Sequence, residues 1–244
     1  MTQGSYIVRE NRPLTDQVDR MRLAGDTAAL TRPGQFVNIR VEGAFLRRPL
    51  SVCDWDADGL TVIYKTVGEG TRWLSRQEPG KALDLLCGLG NGFSPEKAGD
   101  RPLLCGGGVG APPLYRLCRE LCGKGLRPAV VLGFGRADEV FLAEEFAALG
   151  ADVTVTTVDG SAGIKGLVTD ALPENPGFVY ACGPIPMLRA VAEATACGGE
   201  YSFEERMGCG FGACMGCSCK TLTGYKRICK DGPVMRKEEI LWEA

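Results

Sequence analysis

One glycine-rich loop near the end of the chain, residues 205–217, constrains the fold more than any other feature. Cys209, Cys214 and Cys217 have the spacing C-x4-C-x2-C, and Cys229 follows after eleven further residues. This is the spacing of plant-type [2Fe-2S] sites, in which a tight loop wraps three thiolates around one face of the cluster. The four glycines of the loop supply the backbone freedom that such a turn needs. The spacing predicts an iron–sulfur site held by these four cysteines.

A structural zinc site is the main alternative for the same cysteines. Zinc sites often use two separated pairs of cysteines in a tetrahedral arrangement, whereas here three candidates share one loop. Cys219 is the surplus thiol, and in an extended segment it would point the same way as Cys217 and could replace it as a zinc ligand. We favour iron–sulfur and expect Cys219 to be spare. Unligated cysteines are the least favoured interpretation.

Composition excludes several classes of function. The 244 residues include twelve cysteines but no histidine, so neither a His-based triad nor a histidine-ligated zinc site can form within this chain. The N-terminus lacks the pattern of an export signal, which favours a cytoplasmic, reducing compartment, where clustered thiols usually bind metal. Lys plus Arg (28) nearly balances Asp plus Glu (30) without a basic block, so we expect no nucleic-acid partner. We find no apolar run that would span a membrane.

The pattern of residue types along the sequence changes twice, which predicts that the chain has three parts. Residues 1–98 contain short β-branched and aromatic runs typical of a small antiparallel barrel or sandwich. Residues 99–199 alternate apolar strands with amphipathic helices, which indicates a parallel α/β sheet. Residues 200–244 form a cysteine-rich lobe.

The glycine loop "CGGGVGA" follows an apolar strand and precedes a helix. Gly106, Gly108 and Ala111 fit the spacing G-x-G-x-x-[GA], which lets a backbone approach a pyrophosphate at a helix N-terminus. Glycine-rich turns without a ligand are also common in α/β folds, so this motif alone leaves both interpretations open. A second turn, "CGP", ends another predicted parallel strand at the same sheet edge, where ligands bind in open α/β sheets. A lone buried cysteine is the alternative interpretation of Cys182.

Two further motifs could bind an anion. Arg47, Arg48 and Ser51 end a predicted barrel strand, while Gly70 and Thr71 open a predicted helix. A guanidinium and a helix start both suit a diphosphate, although each motif alone is more typical of a surface arginine pair and a capped helix.

The order of these motifs resembles a known family. RRPLS, IYK, GEGT, CGGGVGAPPLY, ACGPIPML, ERMGCGFGAC and CKDGPVM follow one another as in the electron-transfer subunits of NAD-dependent (class 1B) dihydroorotate dehydrogenases, which are ferredoxin-reductase-like flavoproteins. The resemblance implies an N-terminal FAD-binding β-barrel, a parallel-sheet NAD domain and a C-terminal [2Fe-2S] lobe. The gap before Cys229 is shorter than in plant ferredoxins, so we expect a brief hairpin there and not a full ferredoxin domain.

The resemblance also implies roles for individual residues. The cluster ligands would be the four cysteines named above, and Cys182 would lie near the hydride-transfer site. The residues implied for FAD are Arg48, Pro49, Leu50, Ser51, Ile63, Tyr64, Lys65, Gly70 and Thr71. The residues implied for NAD are Gly106, Gly107, Gly108, Gly110, Cys182, Gly183 and Pro184.

The implied activity is electron transfer in pyrimidine (UMP) biosynthesis. Electrons from dihydroorotate, oxidised on an FMN-containing partner subunit, would reach NAD+ through [2Fe-2S] and FAD, in a heterotetramer with two copies of each subunit. One alternative keeps the cofactors and changes the partner, as in an NAD(P)H-linked ferredoxin reductase or a hydrogenase module. A second alternative is a zinc-stabilised binding module without electron transfer.

Overall fold

Six antiparallel strands form a closed barrel at the N-terminus of the computed structural model, which describes residues 1–242. The strand order is β1-β2-β5-β4-β3-β6. Alternating side chains fill the barrel: Val37 and Ile39 point into its core, whereas Phe36 packs outside it, against the C-terminal lobe. The strands are β1 (Thr2–Pro13), β2 (Val18–Ala24), β3 (Phe36–Ile39), β4 (Arg48–Asp56), β5 (Gly59–Lys65) and β6 (Ala82–Leu89).

A seven-stranded sheet follows the barrel, in the order β10-β9-β8-β7-β11-β12-β15. All neighbours are parallel except β12 and β15, which pair antiparallel. The chain leaves β7 toward β8 on one side and later returns to β11 on the other, so the strand order reverses between β7 and β11. The strands are β7 (Pro102–Gly107), β8 (Ala129–Phe134), β9 (Asp152–Thr157), β10 (Ile164–Lys165), β11 (Phe178–Cys182), β12 (Gly199–Ser202) and β15 (Val234–Arg236).

Four α-helices accompany these sheets within residues 1–242. The longest, α2, buries Leu114, Leu117, Cys118 and Leu121 on one face, as the helical spacing predicts. Two prolines occupy its first positions, where missing amide hydrogens cost nothing. The helices are α1 (Glu69–Ser75), α2 (Pro112–Gly123), α3 (Ala143–Ala148) and α4 (Ile185–Ala194).

The C-terminal lobe contains a short hairpin and is joined to both other parts. Strands β13 (Ser218–Thr221) and β14 (Gly224–Arg227) form the brief hairpin that the eleven-residue gap predicts. Asn91, after the barrel, exchanges hydrogen bonds with Val234 at 2.7 and 3.1 Å. The barrel and the parallel sheet confirm the predicted fold class.

An ion-pair network fixes the barrel against the α/β layer. Asp54 of β4 pairs with Arg116 at 3.3 Å and with Arg119 at 2.7 Å, both on α2. The Arg116 guanidinium also lies 4.2 Å from the ring centre of Trp55. These contacts hold α2 in one orientation relative to the barrel.

Asp84 gives a pH-dependent prediction for the barrel. Its carboxylate accepts hydrogen bonds from Arg47 at 3.0 Å and from Gln3 at 3.1 Å, and the bonds from Arg47 lower its pKa most. Because the pKa is lower in the folded state, the contribution to stability is full above the unfolded pKa of about 3.9 and disappears as the pH falls through the folded value.

Asp84→Asn should therefore lower the free energy of unfolding by about 1 kcal/mol at pH 7, a small value because the pair is partly exposed. Urea unfolding followed by tryptophan fluorescence should show wild type and variant converging below about pH 4. A difference that stays constant over the whole pH range would contradict this role for Asp84.

Candidate functional site

The structure places the four predicted cluster ligands together as two contacting pairs. Cys209 and Cys214 form one pair within the loop, where the Cys209 N–H donates to Cys214 Sγ at 3.4 Å. Cys217 and Cys229 form the other, with the Cys229 N–H 3.4 Å from Cys217 Sγ. Cys229 also lies close enough to Cys209 for their charges to interact. Residues 1–242 contain no set of three or more His, Cys, Asp or Glu side chains arranged to hold a single ion.

Backbone amides of the loop point at the sulfurs. Cys209 Sγ accepts from the N–H of Ala213 at 3.2 Å and from that of Cys214 at 3.4 Å, and the N–H of Gly216 lies 3.5 Å from Cys214 Sγ. Desolvation acts to raise the pKa of Cys209, but the hydrogen bonds outweigh it and lower the pKa to about 6. The loop is therefore prepared to hold a thiolate.

The loop needs glycine where it approaches its neighbours. Gly210 has φ +78°, and a Cβ at this position would lie 2.3 Å from Nδ2 of Asn38 on β3. Gly212 has φ +92°, and its Cβ would meet the Lys230 side chain at 2.6 Å. A side chain at either position would push the loop away from its support.

Cys219 lies on β13, outside both pairs. It is half-buried, its register partner in the hairpin is Lys226, and burial raises its pKa. Its sulfur packs against the apolar side chains between the lobe and the sheet. The structure does not bring Cys219 into hydrogen-bonding contact with the four predicted ligands.

A cleft of about 550 Å³ opens at the carboxyl ends of the parallel strands, at the point where the strand order reverses. Open α/β sheets bind ligands at such a point. Lys65 at the end of β5 brings the barrel to the cleft wall. Of the predicted NAD residues, Gly107, Gly108, Gly183 and Pro184 line this cleft.

The other three predicted NAD residues form the junction beneath the cleft. Gly110 packs against the end of β11, where an added Cβ would lie 2.1 Å from the Cys182 carbonyl oxygen. Gly106 packs on Ala111, with only 2.9 Å between an added Cβ and the Ala111 Cα. Cys182 is 2% exposed, and burial raises its pKa to about 12. Its thiol therefore stays protonated and unreactive at neutral pH.

Charged residues line both ends of the cleft. Glu204 follows β12, and desolvation raises its pKa. At the far end Arg136 pairs with Asp138 at 3.0 Å. The neighbouring Glu139 carboxylate accepts from the Gly135 N–H at 3.0 Å.

The predicted FAD residues gather where β4, β5 and α1 meet. The Arg48 side chain lies over Gly70, whose added Cβ would be 2.3 Å from Arg48 Nε. Arg48, Pro49, Leu50 and Ser51 are all half-buried. Thr71 caps its own helix, since its hydroxyl accepts from the N–H of Val67 at 3.0 Å and of Gly68 at 3.1 Å.

The three residues predicted on β5 point in different directions. Tyr64 packs into the barrel core, and its hydroxyl donates to Asn11 Oδ1 at 3.2 Å. Ile63 packs against the α/β core, and Lys65 is exposed. Arg47 is committed to Asp84, whereas Arg48 donates from Nη1 to the carbonyl oxygens of Leu46 and Arg47 and has no carboxylate partner in residues 1–242.

Sequence reasoning missed Asn38 and Glu204. Asn38 is the one polar residue of the apolar run "FVNI", and this interruption of a buried strand was the available signal. Glu204 has no sequence signal, because only the return of β12 to the sheet brings it to the cleft. Among the helices of residues 1–242, we find none with the length and apolar character needed to cross a membrane.

The chain is similar to known proteins in sequence and in fold. Residues 204–241 match the model of the iron–sulfur cluster binding domain of dihydroorotate dehydrogenase B. A solved structure of an NADH-dependent reduced ferredoxin-NADP oxidoreductase superposes with a TM-score of 0.88 at 30% identity, covering 97% of this chain and 90% of that one. Phthalate dioxygenase reductase superposes with a TM-score of 0.63 at 18% identity, over 79% of this chain and 64% of that one, which shows the fold alone.

Two curated relatives cover nearly the whole chain. The dihydroorotate dehydrogenase B (NAD(+)) electron transfer subunit of Geobacillus sp. (strain WCH70) is 43% identical over 256 residues, 99% of either chain. The subunit of the same name from Bacillus caldolyticus is 44% identical over 249 residues, 96% of either chain. This chain therefore belongs to the family of dihydroorotate dehydrogenase B (NAD(+)) electron transfer subunits, as its motif order predicted.

Proposed function

We propose that this chain carries electrons from dihydroorotate, oxidised on an FMN-containing partner subunit, to NAD+ through a [2Fe-2S] cluster and FAD, in pyrimidine biosynthesis. The observation that carries the proposal is that one chain holds both the two contacting cysteine pairs and a cleft of about 550 Å³ at the sheet edge. The proposed parts are the FAD barrel (1–98), the NAD domain (99–199) and the cluster lobe (200–244), whose last two residues lie outside the described structure.

The cysteine pairs fit a cluster with two irons. In a four-cysteine [2Fe-2S] site each iron takes two thiolates, and the pairs Cys209–Cys214 and Cys217–Cys229 supply two each. A tetrahedral zinc ion would need all four sulfurs around one point. The amides of Ala213 and Gly216 would hydrogen-bond the ligand sulfurs and stabilise their negative charge.

The barrel surface fits FAD. The Arg48 guanidinium would bind the diphosphate beside Gly70, where the absence of a side chain leaves room for the arginine. Ser51 would lie at the reactive edge of the flavin. FAD would supply the conversion between one-electron transfer and hydride transfer, which is why both cofactors are needed. No residue of this chain has to act as a general base, in agreement with its lack of histidine.

The cleft fits NAD, with Gly107 and Gly108 at the diphosphate and Gly183 and Pro184 toward the nicotinamide. Gly110 would contribute indirectly by letting the two turns meet. Buried, protonated Cys182 would exclude water beneath the nicotinamide and carry no charge.

A partner subunit has access to the cluster loop. Cys214 is exposed, and the apolar side chains of Phe211 and Met215 are 44% and 55% exposed beside it. Exposed apolar residues around a redox centre suit a docking surface. We propose that the FMN subunit docks here, in a cytoplasmic heterotetramer with two copies of each subunit.

Anaerobic purification with iron, sulfide and flavin analysis tests the proposed cofactors. We expect about two irons, two sulfides and one FAD per chain, together with a yellow-brown visible spectrum. A colourless protein loaded with zinc would contradict the proposal and favour a binding module.

The partner is tested separately, because the likeness to an NADH-dependent ferredoxin-NADP oxidoreductase favours a second candidate. Co-purification of an FMN protein that oxidises dihydroorotate would support the first proposal. Reduction of ferredoxin by NADH, with pyrimidine prototrophy after deletion of the gene, would support the second.

The charged residues at the far end of the cleft favour NAD over NADP. Arg136, which could receive a 2′-phosphate, is already paired with Asp138, and the Glu139 carboxylate lies beside it. A carboxylate there favours the ribose hydroxyl of NAD. Asp138→Asn should release Arg136 and lower the ratio of kcat/KM for NADH to that for NADPH about threefold, a modest change because the ion pair is exposed to solvent.

Steady-state reduction of ferricyanide with both nucleotides measures that ratio. Asp152→Asn is the matched control, because Asp152 pairs with Arg127 on an exposed surface outside the cleft. An unchanged ratio in Asp138→Asn would show that this pair does not select the nucleotide.

A further inference from the structure

Asn38 links the barrel to the cluster loop through a buried hydrogen bond. Its side chain is 1% exposed, and Nδ2 donates to the carbonyl oxygen of Cys209 at 3.1 Å. Gly210 packs against the same amide, because a Cβ added to it would lie 2.3 Å from Nδ2. The loop that carries the first predicted ligand therefore rests on a barrel side chain.

The position of Asn38 in the barrel places it beside the predicted flavin segment. On β3, Val37 and Ile39 point into the barrel, so Asn38 points outward. Asn38 is opposite Pro49 of β4, and Phe36 is opposite Ser51. Directly opposed residues of an antiparallel pair share a face and have Cβ atoms about 4.5–5.5 Å apart. One face of one strand pair thus carries the support of the cluster loop and part of the predicted flavin site.

The side-chain oxygen of Asn38, Oδ1, lacks a hydrogen-bond donor in the described residues. Oδ1 is buried and has no hydrogen-bond partner among the described residues, and such a group costs about 1–3 kcal/mol unless another group meets it. The oxygen of an amide side chain can only accept hydrogen bonds, and so can a cluster sulfide or a thiolate. Two acceptors cannot bond to each other. The missing donor therefore fits the N–H or hydroxyl groups of a flavin and not the cluster.

Arg47 restrains the backbone of Asn38. Its guanidinium donates to the Asn38 carbonyl oxygen at 3.3 Å and is held by Asp84. Asn38 therefore has little freedom to move with the loop. A rigid support is what a short electron-transfer step between two cofactors requires.

We propose that Asn38 is a positioning residue for electron transfer: Nδ2 anchors the Cys209 loop, and Oδ1 accepts a hydrogen bond from the flavin, so that one side chain sets the geometry between cluster and flavin. This inference rests on the proposed function. Without this anchor the loop would loosen, and the backbone N–H groups would make weaker hydrogen bonds to Cys209 Sγ. Those hydrogen bonds would stabilise the extra negative charge of a reduced cluster. The cluster potential should then fall.

Two variants test the role of Asn38. Asn38→Leu removes both bonds at similar volume, whereas Asn38→Asp keeps the oxygen and loses the donor to Cys209. In both variants, the ratio of reduced to oxidised cluster at a fixed potential should fall roughly threefold, which is about 30 mV for one electron. Loss of iron to a chelator should be about fivefold faster. The visible absorbance spectrum of bound FAD should shift in Asn38→Leu, which removes the oxygen that accepts from the flavin.

Asn11→Ala is the control for general loss of barrel stability. Asn11 bonds three carbonyl groups near the end of α1, at Leu74, Ser75 and Gln77. The Asn11→Ala substitution should leave the cluster potential and the electron paramagnetic resonance spectrum unchanged. The same potential, spectrum and chelation rate in wild type and both Asn38 variants would overturn the inference. Absence of a cluster from the wild-type protein would instead overturn the proposed function.

Discussion

Cys229→Ser should destroy the iron–sulfur cluster, whereas Cys219→Ser should keep it. Cys229 is 1% exposed and contacts Cys217, so its thiolate would complete the second pair. Cys219 is only ten residues away in sequence, and although its charge interacts with that of Cys217, it makes no hydrogen bond to the four predicted ligands in the described residues. Because even indirect supports of a metal site typically cost 10–100-fold in affinity when removed, the loss of a direct ligand should lower the iron content at least about tenfold.

Iron and sulfide analysis and the electron paramagnetic resonance spectrum of the dithionite-reduced variants measure this difference. The FAD content should be the same in both variants, because neither cysteine is among the predicted FAD residues. The reverse pattern, with the cluster lost in Cys219→Ser and kept in Cys229→Ser, would show that the ligand frame is wrong. Loss of zinc instead of iron would support the zinc-stabilised module.

Gly110→Ala should slow NADH-dependent reduction of FAD at least about tenfold. An added Cβ would lie 2.1 Å from the Cys182 carbonyl oxygen and 2.8 Å from the Gly183 Cα, both of which are backbone atoms that cannot rotate away. The turn after β7 and the turn after β11 would have to separate, at a cost of about 1–3 kcal/mol for such overpacking. Since both turns line the proposed NAD site, kcat/KM for NADH should fall at least about tenfold.

Gly123→Ala is the matched control, because Gly123 ends α2 and an added Cβ there meets nothing within 4 Å. It should leave NADH reduction unchanged and should not destabilise the protein, since alanine is a better helix former than glycine. Flavin and iron contents of Gly110→Ala should remain near wild type. A normal kcat/KM in Gly110→Ala would show that the two turns do not form the nucleotide site.

Patterns among residues close together in the sequence allowed much of the fold to be predicted. The short β-branched and aromatic runs "FVNIRV" and "LTVIYKTV" predicted barrel strands, and the spacing of Leu114, Leu117, Cys118 and Leu121 predicted a helix face. The boundaries were less predictable: "EVFLAEEFAALG" suggests a longer helix than α3, which begins only at Ala143 because Leu142 adopts a left-handed backbone with φ 65°. Closure of the barrel depends on pairing between β1 and β6, far apart in sequence, and no local pattern encodes it.

Contacts between distant segments explain what the sequence could not predict. Strands β12 and β15 add to the sheet from within the cysteine-rich segment, so that segment is joined to the parallel sheet although its sequence no longer alternates. Asn38 meets Cys209 across 171 positions in sequence. The cysteine spacing, by contrast, is local, and in the structure those four residues form the pairs Cys209–Cys214 and Cys217–Cys229. Their role as ligands, like the roles of the FAD and NAD residues, stays a prediction until cofactors are measured.

Anaerobic, freeze-quenched electron paramagnetic resonance of the co-purified complex tests the central claim most directly. Dihydroorotate and NAD+ are mixed with the complex, and reduced cluster and NADH are followed together. We expect the reduced-cluster signal to appear before NADH accumulates, and Cys229→Ser to form NADH at least about tenfold more slowly than wild type with its FAD retained. Formation of NADH from dihydroorotate at the wild-type rate in Cys229→Ser, without any cluster signal, would contradict transfer through this chain's cluster.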